Sequence, residues 1–292
     1  MSKKHIVFII NPRSGTERQK KIEAAVETYL DKGIYSYELL HTEYEKHGTL
    51  LAKDAALKGA YSVVAVGGDG SVNDVAAGLL GTPSILGIIP KGSGNGMSRT
   101  LNIPRDVAEA VKVINNGKTL NIDIAFANNK PFVSNAGVAF DALVARKFAT
   151  SKKRGLFNYT WLVAKHLWAY KELEWSITVD GEKINERAFM VIVANGQQFG
   201  YNFKIAPMAS ITDGVLDIII VKKFPKILGG IITLRAMNGT ITSSPYVRHY
   251  KGKTITIYNP SLCLMQTDGD ASDCEQMIHF RVQQAAQRVF VP

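Results

Sequence analysis

Three short apolar runs, residues 5–10, 62–66 and 85–89, each end in a corner made almost wholly of small residues. The corners read Asn11-Pro12-Arg13-Ser14-Gly15-Thr16, Gly67-Gly68-Asp69-Gly70-Ser71 and Pro90-Lys91-Gly92-Ser93-Gly94-Asn95-Gly96. A continuous apolar run of this length, bounded by turn residues, is a strand buried on both faces. Between the runs the apolar period switches to that of a helix. Ile22, Ala25, Val26, Tyr29 and Leu30 form one stripe over residues 17–32, and Gly33 follows as a C-cap. Residues 35–41 read as a further strand, 48–57 as a helix, and 105–114 as another helix. Val72, Val75, Ala76 and Leu79 share a face over 71–80. Strands alternating with helices predict a parallel, doubly wound α/β sheet with helices on both faces.

Beyond residue 120 the rhythm changes. Strand-like runs dominate, at 120–126, 132–135, 174–179, 188–194, 215–222, 254–258, 262–266 and 278–282. Asp180-Gly181 is a hairpin signal between two strands. Helices are expected at 157–173 and 226–237. The chain therefore divides into an α/β domain, residues 1–123, and a β-rich domain, residues 124–292, with the change falling near 122–125.

Composition narrows the function classes. Cys263 and Cys274 belong to no CxxC or Cys/His cluster, so neither a zinc site nor a disulfide framework is expected, and a reducing compartment fits. The apolar stretch 6–10 is too short for a leader core, and no run is long enough to span a bilayer. The expectation is a cytoplasmic protein, peripheral at the inner membrane surface. The formal net charge of +10 suits nucleic acid, an anionic membrane or phosphorylated small molecules. No nucleic-acid-binding module is present, so nucleic acid is not an expected partner.

In an open parallel sheet, ligands bind beyond the carboxyl ends of the strands, where all three corners fall. Backbone N–H groups at the following helix N-termini favour an anion, and glycines let the backbone approach it closely. Asp69 would repel a phosphate unless it faces a magnesium ion or a substrate hydroxyl. Each corner is also readable as an ordinary tight turn. Two better-known phosphate motifs fail. Gly252-Lys253-Thr254 lacks the first Walker glycine, since Val247 stands there, and the run beginning Gly92-Ser93-Gly94 has Met97 where a dinucleotide fingerprint needs glycine.

The ordered set Asn-Pro-x-Ser-Gly, Gly-Gly-Asp-Gly-Ser and Pro-x-Gly-Ser-Gly-Asn strongly resembles the diacylglycerol kinase/sphingosine kinase superfamily, in particular its soluble bacterial lipid kinases. The resemblance implies a nucleotide-binding α/β domain followed by a C-terminal β-sandwich, with catalysis in the cleft between them. It implies ATP and Mg2+ as cofactors. Nucleotide contacts then fall on Asn11, Pro12, Arg13, Ser14 and Gly15, on Thr42, on Gly67, Gly68, Asp69, Gly70, Ser71, Val72 and Asn73, and on Ser93. Proton acceptance falls on Asp69 or Asp270, the latter in Asp268-Gly269-Asp270 where relatives end in Glu. Asp74 likewise replaces a usual Glu. The Mg2+ loop of bacterial members maps onto the carboxylate of Asp213 and the backbone carbonyls of Ser210 and Val215, and a lipid head-group acid onto Asp141.

The expected partner is a lipid substrate at a membrane surface, with a homodimer as a further expectation. Arg146, Lys147, Lys152, Lys153 and Arg154, followed by the aromatic-rich stretch 157–175, are the expected membrane contact. Against a lipid kinase stand an NAD kinase, which shares the second corner, and a non-catalytic nucleotide-binding regulator, which needs neither Asp69 nor Asp270.

Overall fold

The computed structural model describes residues 3–14, 19–151 and 155–292. The chain forms two compact units, one of Met1–Ile122 with Ala285–Pro292, the other of Asp123–Gln284.

In the first unit, β1 (Lys4–Ile10), α1 (Gln19–Tyr29), β2 (Tyr35–His41), α2 (His47–Leu57), β3 (Ser62–Gly67), α3 (Asp69–Leu79) and β4 (Ile85–Pro90) alternate, followed by α4 (Gly96–Thr100) and α5 (Val107–Asn116). The parallel strands lie in the order β2-β1-β3-β4. Residues 6–10 of β1, and every residue of β3 and β4, are buried, which is why these strands read as unbroken apolar runs. On α5, Val107, Ala110, Val111, Val113 and Ile114 are buried, the Asp106 side chain accepts the Glu109 N–H, and Gly117 closes the helix at φ 69°.

The chain then forms β5 (Thr119–Ala127), β6 (Lys130–Phe132), β7 (Asn135–Ala139), α6 (Phe140–Ala149), α7 (Leu156–Leu167), β8 (Leu173–Val179), β9 (Glu182–Ala194), β10 (Leu216–Lys222), α8 (Gly229–Met237), β11 (Val247–Gly252), β12 (Thr254–Tyr258), β13 (Leu264–Thr267), β14 (Asp270–Asp273) and β15 (Met277–Phe290). In the second unit the antiparallel ladder runs β14-β13-β7-β9-β8-β12-β15, and β10 joins β9 to β11. This is the β-sandwich domain expected. Its central strands bury both faces. Val191, Val193, Ile218 and Ile220 enter one core; Ile192, Ala194, Ile219 and Val221 enter another with Ile205, Ile232 and Ala236. The Asp180-Gly181 turn connects β8 to β9 with Val179 facing Glu182, and both turn residues have positive φ, 46° and 93°.

Three differences from the sequence reading have physical causes. The strand expected at 132–135 is two strands, β6 and β7, because the Asp268 carboxylate takes the amides of Val133, Ser134 and Asn135 away from a ladder. Strand β9 begins six residues before 188, in a polar stretch held by pairing with β8. Residues 285–292, grouped by sequence with the second domain, return to the first unit. There Val289 pairs with Leu86, Gln287 Nε2 donates to the Ser84 carbonyl at 3.1 Å, and Val289 and Phe290 are buried.

Candidate active site

The first unit brings the three corners together. Hydrogen bonds continue past the strand ends: Asn11 N–H donates to the Val66 carbonyl at 3.0 Å, and Thr42 N–H donates to Ile10 at 3.0 Å. Asn11 Nδ2 reaches Ser71 Oγ at 3.3 Å, joining the first corner to the second. The second meets the third through the Gly67 carbonyl, which accepts Lys91 N–H at 2.7 Å and Gly92 N–H at 3.2 Å. Contact there is backbone on backbone. A Cβ on Gly92 would stand 2.5 Å from the Gly68 Cα, and one on Gly68 would stand 3.1 Å from the Gly92 Cα. Only glycine permits this approach.

Buried Asn95, at φ 52°, holds the third corner in shape. Its Oδ1 accepts Gly92 N–H at 2.9 Å and its Nδ2 donates to the Gly92 carbonyl at 2.7 Å. Ser93 is exposed at the tip, as are Pro12 and Arg13 in the first corner. Gly15 lies outside the described residues. Val72 and Asn73 are buried on α3, and Val72 N–H is spent on the Gly68 carbonyl at 3.1 Å. The N–H groups of this helix that precede Val72 are the ones a helix N-terminus leaves without an intrahelical partner. Thr42 sits beside Gly48, whose Cβ would lie 3.8 Å from Thr42 Cγ2 and 3.1 Å from Asp74 Cβ; Lys46 Nζ holds Asp74 at 2.9 Å.

Asp69 serves the third corner. Its Oδ1 accepts Met97 N–H at 3.3 Å, with further amides from Gly96 and Asn95 directed at the carboxylate. Burial raises its pKa, and these backbone donors offset only part of that rise.

The second unit gathers Asp141 with the turn that carries Asp270. Asp141, buried at the start of α6, accepts Gln266 Nε2 at 2.7 Å. The same amide donates to Asn135 Oδ1 at 3.0 Å, and Gln266 Oε1 accepts Gly269 N–H at 2.7 Å. Burial pushes the Asp141 carboxyl up to about 6, and the Gln266 hydrogen bond opposes the rise. A Cβ on Gly137 would overlap the Asp141 carboxylate. Asp268 is the structural acid of the turn, accepting Val133 and Ser134 N–H at 2.8 Å each and Asn135 N–H at 3.0 Å. With Asp268 at φ 49° and Gly269 at φ 89°, the turn presents an exposed Asp270.

Asn95, Gln266 and Asp268 are the polar anchors that sequence reasoning did not select. A glutamine inside the strand-like run 262–266, just before Asp268-Gly269, was the available signal for Gln266.

The proposed Mg2+ loop is also in the second unit. Gly214, at φ 72°, donates its N–H to the buried Asp123 Oδ2 at 2.7 Å. Asp213 Oδ1 accepts Val215 N–H at 3.3 Å, and Asp213 Oδ2 lies 3.3 Å from Lys251 Nζ. Ser210 Oγ lies 3.2 Å from Thr212 Oγ1. Among the described residues no group of three or more His, Cys, Asp or Glu side chains is arranged to hold a metal.

A doubly wound unit with small-residue corners at one strand edge, followed by a β-sandwich, defines a class of two-domain kinases. A family model for the diacylglycerol kinase catalytic domain matches residues 5–127, and one for the YegS C-terminal NAD kinase beta sandwich-like domain matches residues 134–290. A diacylglycerol kinase of Staphylococcus aureus (strain bovine RF122 / ET3-1) is 31% identical over 275 residues, covering 92% of this chain and 86% of the relative. The diacylglycerol kinase of Staphylococcus haemolyticus is 31% identical over 268 residues, covering 90% of this chain and 81% of the relative. The chain therefore belongs to the diacylglycerol kinase family, whose members are lipid kinases.

Solved structures agree on the fold. A diacylglycerol kinase from Bacillus anthracis str. Sterne superposes with a TM-score of 0.77 at 22% identity, over 100% of this chain and 98% of that one. An NAD kinase from Archaeoglobus fulgidus in complex with ATP reaches a TM-score of 0.56 at 16% identity, over 98% of this chain and 93% of that one. Among the described residues no helix is long and apolar enough to cross a membrane.

Proposed function

We propose that this protein transfers the γ-phosphate of ATP, taken up as its Mg2+ complex, to the hydroxyl of a diacylglycerol-like or sphingoid-like lipid. The observation that carries the reading is the convergence of three anion-favouring corners at one edge of the sheet, the second closed against the third at Gly68 and Gly92 and the first tied to the second through Asn11 and Ser71. Phosphoryl transfer asks a protein chiefly for positioning and for charge to meet the phosphate oxygens. Backbone amides at the start of α3 and in the corners supply such donors, and the Asn11, Ser14, Ser71 and Ser93 side chains can add to them. When bound with the nucleotide, Mg2+ would supply positive charge against the phosphate oxygens.

Asp69 and Asp270 divide the acidic work. Asp69 accepts amides around α4 and so positions the third corner. Asp270 is exposed on a turn fixed by Asp268 and Gln266, and it accepts the proton of the lipid hydroxyl. Asp141, joined to that turn through Gln266, orients the lipid head group.

Access to a bilayer lipid falls to the second unit. Helix α7 leaves Phe157 and Trp161 exposed, Trp168 follows it 68% exposed, and Lys165 Nζ lies 4.9 Å over the Trp161 ring. Arg146 is paired to Asp273 at 2.6 Å, while Lys152, Lys153 and Arg154 lie outside the described residues. Binding to anionic vesicles is expected to weaken on charge reversal at Lys152, Lys153 and Arg154.

The deciding assay supplies labelled ATP with diacylglycerol, monoacylglycerol, a sphingoid base, ceramide, a polyprenol and NAD in separate reactions. Label in a lipid product supports the proposal. Label in NAD alone would assign the protein to the NAD kinase reading instead, and no transfer at all would favour a nucleotide-binding regulator.

A further inference from the structure

The loop that resemblance assigns to Mg2+ already contains a cation of its own. Lys251 Nζ lies 3.2 Å from the Met208 carbonyl, 3.3 Å from Asp213 Oδ2 and 3.4 Å from Asp217 Oδ2. The arrangement is set by register. Strands β10 and β11 pair antiparallel with Asp217 directly opposite Lys251, and His249 stands two residues along on the same face. His249 Nε2 takes the other Asp217 oxygen at 2.5 Å.

Asp217 is fully buried, so its charge requires a partner inside the fold. A lysine placed between it and Asp213 supplies that partner as an ion pair at 3.4 Å, with no hydrogen bond to Asp217 Oδ2, and its hydrogen bonds to the Met208 carbonyl and Asp213 fix the loop 208–213. Two other carboxylate oxygens here are turned to backbone amides of the loop: Asp213 Oδ1 accepts Val215 N–H, and Asp123 Oδ2 accepts Gly214 N–H. A Mg2+ ion demands near-octahedral oxygen ligands at about 2.0–2.1 Å and gives up its waters reluctantly. The one carboxylate of the set, Asp213, is shared with an ammonium, and among the described residues no three acidic or imidazole side chains are arranged to hold a metal, so the set of Ser210, Asp213 and Val215 does not fit that demand.

We propose that Lys251 is the resident cation of this loop. The second unit is then folded and stable without a divalent ion, and any Mg2+ requirement of the protein enters with the nucleotide alone. The inference stands apart from the kinase reading, because its test uses neither ATP nor lipid.

The experiment follows unfolding of the full chain by tryptophan fluorescence in EDTA and in millimolar Mg2+, without nucleotide, for the wild type and for Lys251→Met. The wild type is expected to melt at the same temperature in both buffers, and Lys251→Met roughly 5–10 °C lower in EDTA. A wild-type midpoint that rises saturably with Mg2+, or a Lys251→Met midpoint equal to that of the wild type, overturns the proposal. Should Lys251→Met fail to fold, Mn2+ binding measured by electron paramagnetic resonance on the wild type and Asp213→Asn decides. A Mn2+ site present in the first and lost in the second refutes the resident lysine, and identical titrations support it.

Discussion

Replacing Asp141 by Asn tests how the second unit tolerates an acid in its interior. The Asp141 carboxyl has an ordinary value of 3.8 and is pushed up to about 6 because burial penalises its charged form. Well below the ordinary value both folded and unfolded chains hold the proton, and the favourable state of the neutral acid is fully present. As pH rises between the two values the unfolded chain releases its proton first, so the folded state binds more protons and stability falls with pH. Above both values the penalty levels off at about 3 kcal/mol, of which about 2 kcal/mol accumulates between about pH 4.5 and about pH 8.

Asparagine keeps an oxygen for Gln266 Nε2 and never charges. The stability of Asp141→Asn relative to wild type should therefore rise by about 2 kcal/mol over that range. Urea unfolding followed by tryptophan fluorescence reads this directly, since Trp161, Trp168 and Trp175 all lie in the second unit. Parallel wild-type and variant profiles across the range would refute the reasoning, because the carboxyl would then titrate alike in both states.

Gly92→Ala should separate the second and third corners, destabilising the first unit by about 1–3 kcal/mol and weakening ATP binding at least tenfold by calorimetry, since its Cβ would stand 2.5 Å from the Gly68 Cα. Gly230→Ala is the contrast: nothing lies within 4 Å of that Cβ, and a gain of about 0.5–1 kcal/mol in thermal unfolding is expected from helix propensity. Asp268→Ala strands three buried amides and should cost roughly 3 kcal/mol or more in urea. Asp270→Asn should lower kcat about a hundredfold or more with ATP affinity unchanged, as steady-state kinetics with a lipid acceptor will show.

The first unit was legible because β1, β3 and β4 are buried on both faces and end in corners of distinctive composition. Residues 35–41 and 254–258 were read with the bounds they have. What stayed hidden is held by partners far along the chain. The polar start of β9, residues 182–187, is a strand only because β8 pairs with it. The break between β6 and β7 depends on an acid at position 268. In the candidate site the glycines and Asp69 carried a visible pattern. Asn95 stood in the third motif without its role being readable, and Gln266 stood in none, since an amide that fastens backbone looks in sequence like any loop or surface residue. Lys251 was invisible for a related reason: its meaning comes from the residue opposite it on β10.

The return of residues 285–292 to the first unit bears on how the polypeptide emerges from the ribosome. Ser84, Leu86 and Lys118 are synthesised early, yet Gln287, Val289 and Val291, which bond to them, appear some 170 residues or more later. The first unit must wait, edge uncovered, until translation has passed through the sandwich. A chain truncated at residue 284 would therefore be expected to lose stability in the half most distant from the cut in sequence.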